Sequence, residues 1–358
     1  MHSRTTMRSA ILLSLLGAGC NTAYTPDETL VYVDRPSHAV TTVASLDGCF
    51  AGGGALVELG AVNNDDQTDH GTLLTFGISP GGIVAAAGAD GTLKFWTMDD
   101  TLLGTASAAV LTYGPEVSAA PITDLAFDGN HAIAGDVRGL VSSLSSDGRT
   151  TIMGGTVPDV PIASVAFDPT AHVLAHAQRG EGATPLVVQS VDGTRNASVE
   201  DTLPTITDLA FTVEGALVVG GQNDALHAAV EIRGSSDPAT VSARIELGTD
   251  PRVIELAAAR EGSAIVAITA RGLYAITGTS ATLLAGSDVD LRSVELSPSG
   301  DHAYVVDTNG RLSVRATADG RELASAHVPS GFAVRVDGED QRIVVGATDA
   351  MLHVLSCQ

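Results

Sequence analysis

Gly77-Ile78-Ser79-Pro80-Gly81 has the Gly-x-Ser-x-Gly spacing of a hydrolase nucleophile elbow. That turn exposes a serine Oγ and uses the next residue's backbone N–H to stabilise an oxyanion. The neighbours deny the chemistry: Pro80 has no N–H to donate, and Gly81-Gly82 leads into the apolar run Ile83–Ala87, a strand pattern rather than the helix an elbow needs. A hairpin turn is expected here instead. His172 and His176 stand four apart, which on a strand would put both on one face, as paired metal ligands are. A metal needs three or four converging ligands, and packing histidines are the favoured reading. Asp124 and Asp208 hold the same place in two copies of Ile-Thr-Asp-Leu-Ala-Phe, with Glu255 and Glu295 at related positions. Paired carboxylates suit general acid–base chemistry, yet recurrence at one repeat position points first to a repeated structural role, accepting backbone hydrogen bonds. Asn63–Asp69 is acidic but lacks the ligand spacing and glycine of a calcium loop. The sequence therefore assigns no catalytic, cofactor-binding or metal-ligating residue, and no cofactor is expected.

The three cysteines carry more specific expectations. Arg4 and Arg8 precede the apolar run Ala10–Leu16, and Gly17-Ala18-Gly19 leads to Cys20. A positive start, a short apolar stretch and small residues before a cleavage point make an export signal over residues 1–19, too short to span a bilayer. Leu-Leu-Gly-Ala-Gly-Cys resembles a bacterial lipobox, with a glycine where leucine is usual, and the resemblance implies a diacylglycerol on Cys20. Asn21 after it resembles outer-membrane sorting. Residues 20–29 then form a lipidated linker. Cys49 and Cys357 remain, near opposite ends of the folded region. In an oxidising compartment they are expected to pair, and by the chain-entropy relation such a bond is worth roughly 5 kcal/mol as an upper figure.

The formal charge of -23, with Lys94 the only lysine, repels nucleic acid phosphates and anionic lipid heads. Membrane association is therefore expected through the lipid alone. Aromatic residues make up only 4% of the chain, so its core must consist mostly of Ala, Val, Leu and Ile in thin layers.

Positioning comes from a repeat. Strand-like runs end at Ile78, Phe127, Phe167, Phe211, Ala258, Leu296 and Val336, at intervals between 38 and 49 residues, each followed by further short runs and turn residues. A period in the forties with several short strands is the pattern of a β-propeller blade. The segments Ser79-Pro80-Gly81-Gly82 with Ala89-Asp90-Gly91-Thr92-Leu93-Lys94-Phe95-Trp96, and Ser297-Pro298-Ser299-Gly300 with Asp307-Thr308-Asn309-Gly310, resemble WD40 repeats. Ala303–Ser325 also resembles quinoprotein-like propeller repeats. The fold class expected over residues 30–358 is thus an all-β propeller. A shortened copy across Val40–Leu59 makes eight blades the preferred count, with seven allowed. The last copy ends at Gln358 after its third strand, so an N-terminal strand must complete it and remove the ring's exposed sheet edges. Leu30–Val33 is the segment expected to do so.

The expectation that follows is an exported, lipid-anchored, non-enzymatic scaffold at the cell envelope, monomeric and on the outer membrane. Its partner would be a protein, peptide or glycan. The alternative is a lactonase-like propeller hydrolase with acids and histidines around the central channel.

Overall fold

The computed structural model describes residues 45–63, 73–97, 102–107, 120–155, 159–180, 186–191, 196–199, 202–234, 237–337 and 342–358. The expected leader, Cys20 and Leu30–Val33 lie outside the described residues.

Among the described residues, seven four-stranded antiparallel sheets form the fold. Their first strands run Leu73–Ile78, Ile122–Asp128, Ile162–Asp168, Thr205–Phe211, Glu255–Ala258, Leu291–Leu296 and Gly331–Val336, defining blades 1 to 7 in chain order. Each packs against the first strand of the next blade, and that of blade 7 packs against that of blade 1, so the seven inner strands close a ring. The architecture is a seven-bladed β-propeller.

The preferred count of eight is corrected by the fate of the shortened N-terminal copy. Its described residues open with a six-residue helix, α1 (Leu46–Ala51), with Ser45 Oγ accepting the Gly48 N–H at 3.2 Å. Its second part is a single strand, β1 (Leu56–Asn63), which pairs antiparallel with Met351–Cys357 as the fourth strand of blade 7. One strand cannot form a blade, and blade 7 lacks one. Closure of the last blade by an N-terminal strand therefore holds, with Leu56–Asn63 in place of the expected Leu30–Val33. The helix is held to the ring by a disulfide between Cys49 and Cys357 and by Phe50, which is buried in the layer shared by blades 6 and 7 with Tyr304, Val334 and Leu355. Asp47 adds side-chain hydrogen bonds to Ser299 Oγ, at 2.6 Å, and to His302 Nδ1.

The core has no single centre. Apolar layers lie between successive blades: Ala85, Phe95 and Ile122 between blades 1 and 2; Ile133, Val141 and Leu174 between 2 and 3; Ala175, Leu186 and Leu217 between 3 and 4. The same pattern continues through blades 4, 5 and 6. Small side chains suit such layers because facing sheets pack about 10 Å apart.

A register shift near the start of the inner strand recurs in blades 1, 2, 3, 4, 6 and 7. A bulge inserts one unpaired residue and re-aims the side chains after it. The first residue past it is Thr75, Asp124, Ser164, Asp208, Ser293 or Ala333, and Glu255 opens the inner strand of blade 5.

Candidate functional site: the central channel

Five of these residues, one in each of blades 2 to 6, form a belt of side-chain hydrogen bonds running from blade 2 to blade 7. Asp124 of blade 2 accepts the Val165 N–H of blade 3 at 2.8 Å. Ser164 Oγ accepts the Leu209 N–H of blade 4 at 3.1 Å, and Asp208 accepts the Leu256 N–H of blade 5 at 2.6 Å. Glu255 accepts the Val294 N–H of blade 6 at 2.7 Å, and Ser293 Oγ accepts the Val334 N–H of blade 7 at 3.1 Å. Each side chain thus satisfies a backbone donor that the propeller leaves on its inner edge, where an unpaired N–H would be costly. Ser164 also donates its hydroxyl to Asp208 at 2.9 Å, linking two steps of the belt. The structural role expected for Asp124 and Asp208 is what the geometry displays.

Glu295 does not share that role. It lies two residues beyond Ser293, on the same face of its strand, at the position matched by Gly77, Ala126, Ala166, Ala210, Ala257 and Arg335 in the other blades. Arg335 is the one basic side chain at that position, and it lines both cavities of the channel. Its guanidinium pairs with Glu255 at 2.9 Å, approaches Glu295 at 3.9 Å, donates to the Val334 carbonyl at 2.7 Å, and lies 5.9 Å from the centre of the Phe76 ring.

Electrostatics follow from burial. Burial pushes the Asp124 carboxyl above the usual carboxylate range, only partly offset by the Val165 N–H. Asp208 is driven up furthest, first by burial and then by the charges of Glu255 and Asp124. Glu295 rises for the same first reason, with Arg335 and Arg260 pulling it back. Burial opposes the charge on Arg335, yet Glu255 and Glu295 outweigh it and hold its proton more firmly than usual.

Two cavities open on the inner strands, and Arg335 borders both. The narrow one, about 190 Å³, is lined by Asp124, Asp208, Glu255 and Ser293. The wide one, about 450 Å³, is lined on one side by Phe127, Phe167 and Phe211 and on the other by Arg260, Glu295 and Arg335. The three phenylalanines occupy equivalent positions in blades 2, 3 and 4. Phe127 can lie over blade 1 because residue 77 is glycine: a Cβ there would stand 2.7 Å from the ring.

The other sequence candidates disperse. Ser79 is fully buried in a turn, where its Oγ accepts the Ile83 N–H at 3.0 Å and donates to Asn130 at 3.3 Å. It is a hairpin residue and no nucleophile. His172 sits in the turn before its strand with φ of 50° and is exposed, while His176 is wholly buried with neither ring nitrogen hydrogen-bonded. The two share no face. Among the described residues no group of three His, Cys, Asp or Glu is arranged to hold a metal ion. Sequence reasoning missed Arg335 altogether; the signal was two charged residues of opposite sign, Glu295 and Arg335, in an otherwise small-residue column of the repeat.

Comparison of the chain with protein-family models finds no match, and comparison with curated proteins finds none either.

Proposed function

We propose that the chain is a non-enzymatic binding scaffold of WD40-like type, exported and lipid-anchored through Cys20 at the cell envelope, which presents the rigid rim of its ring to a protein, peptide or glycan. One observation carries the non-enzymatic part. The recurrent acids Asp124, Asp208 and Glu255, the best catalytic candidates in the sequence, each have an oxygen committed to the N–H of the neighbouring blade. Groups consumed in holding the ring together are poorly placed to move protons on a substrate. The Cys49–Cys357 bond is in keeping with an oxidising compartment.

A second reading, a propeller hydrolase, is favoured by the convergence of Asp124, Asp208 and Glu255 on one narrow mouth with two raised carboxyls, because perturbed acids in a cleft mark functional sites. A panel of lactones and carboxylic esters, assayed with and without divalent cations, separates the readings. The scaffold predicts no turnover. Turnover abolished by Asp208→Asn in a folded protein establishes the hydrolase. For the anchor, Cys20→Ala is expected to release the protein from membranes; unchanged membrane retention refutes lipidation.

A further inference from the structure

The wide mouth of the channel combines an apolar arc with one exposed cation. Phe127, Phe167 and Phe211 supply the arc from blades 2 to 4. On the facing side Arg335 is already engaged by Glu255 and Val334. Arg260, by contrast, is exposed on the rim and makes no hydrogen bond or ion pair with the described residues. The cavity of about 450 Å³ lies in the range of small-ligand sites, which are mostly apolar with a few placed polar groups.

We propose that this mouth binds an apolar group carrying a single carboxylate, with the body of the ligand against the phenylalanine arc and the carboxylate paired to the Arg260 guanidinium.

The lining discriminates among charges. A cation entering here meets Arg260 and Arg335, while Glu295 already stands 3.9 Å from the Arg335 guanidinium. A dianion such as a phosphate monoester meets Asp168 and Glu295 in the same wall and finds only one free guanidinium. A monoanion that forms a fork with one arginine and buries an apolar remainder satisfies both halves. Two sources share this chemistry, a free hydrophobic acid and the C-terminal residue of a partner chain. The site does not depend on the scaffold reading, since a free acid occupies it whether or not a partner protein exists.

Calorimetric titration of the full chain tests the assignment with four probes: N-acetyl-phenylalanine, its amide, phenethylamine, and a short peptide ending in phenylalanine with a free carboxylate. The acid is expected to bind at least about tenfold more tightly than the amide or the amine, the loss expected when a charge-assisted pair is removed. Arg260→Ala, an exposed substitution that leaves the core intact, is expected to abolish that preference, and Arg260→Glu to transfer it to the amine. A peptide binding more tightly than the free acid identifies a chain terminus as the source; equal affinity identifies a free acid. Equal binding of acid and amide, undiminished acid binding by Arg260→Ala, or no binding of the acid at millimolar concentration overturns the proposal.

Discussion

Asp208 reaches across a blade boundary to accept the backbone N–H of Leu256 at 2.6 Å, while its other oxygen accepts the N–H of Leu209 at 2.8 Å. One side chain thus fastens two inner strands, and its high proton affinity is a consequence of that buried post. Asp208→Ala orphans the Leu256 N–H, while the Leu209 N–H keeps Ser164 Oγ, and is expected to lower unfolding stability by about 1–3 kcal/mol. Asp208→Asn keeps one acceptor oxygen and removes the repulsion from Glu255 and Asp124, but turns an NH2 toward one of the donors, so its loss is expected to be smaller than that of Asp208→Ala without vanishing. Urea unfolding of the three proteins checks the order; equal losses for the two variants contradict it.

Acid acts on the protein through His176. Burial with no hydrogen-bond partner lowers its pKa from 6.5 to about 4. The unfolded chain takes up this proton near the ordinary value and the folded one only near the lowered value. Stability from this residue is therefore full above pH 6.5, falls as pH drops toward 4, and levels off below that. The total is about 3 kcal/mol at 1.36 kcal/mol for each pH unit of displacement. His176→Leu is expected to flatten that part of the stability–pH curve. A wild-type and a variant curve of the same slope between those limits would show that His176 does not titrate this way.

The disulfide reinforces the closure that β1 makes. The bond ties α1 to the end of the strand that β1 completes, across a separation of 308 residues, so reduction returns the longest available loop to the unfolded chain. Cys49→Ser with Cys357→Ser is expected to lower stability by up to about 5 kcal/mol. Under denaturing, non-reducing conditions the wild-type pair is expected to show no free thiol at these positions by peptide mapping. Finding both alkylated would refute the bond.

Much of the ring was legible. The run ends at Ile78, Phe127, Phe167, Phe211, Ala258, Leu296 and Val336 fall in the seven inner strands, because every blade repeats the same short apolar run and turn. The overcount arose at Cys49–Leu59, whose pattern matches a repeat while only one strand and a six-residue helix form there. So short a helix leaves no period in the sequence to read. Asp124 and Asp208 announced their role by recurring. Glu255 and Glu295 were grouped in sequence although they stand two positions apart in the repeat. Bulges shift the strand register without leaving a mark in residue type. Asp47 of α1 with His302 of blade 6, and Arg335 of blade 7 with Glu255 of blade 5, are pairs between segments far apart in sequence, and nothing local foretells them.

The belt of side chains joining successive inner strands is tested most directly by amide hydrogen exchange at Val165, Leu209, Leu256, Val294 and Val334. All five are expected to exchange only through global unfolding in the wild-type protein, since each donates to a side chain of the neighbouring blade. In Asp208→Ala, Leu256 is expected to lose protection while Val294 and Val334 keep it. Rapid exchange of these amides in the wild type, or an unchanged Leu256 in the variant, would contradict the belt and return Asp124, Asp208 and Glu255 to the list of free acids.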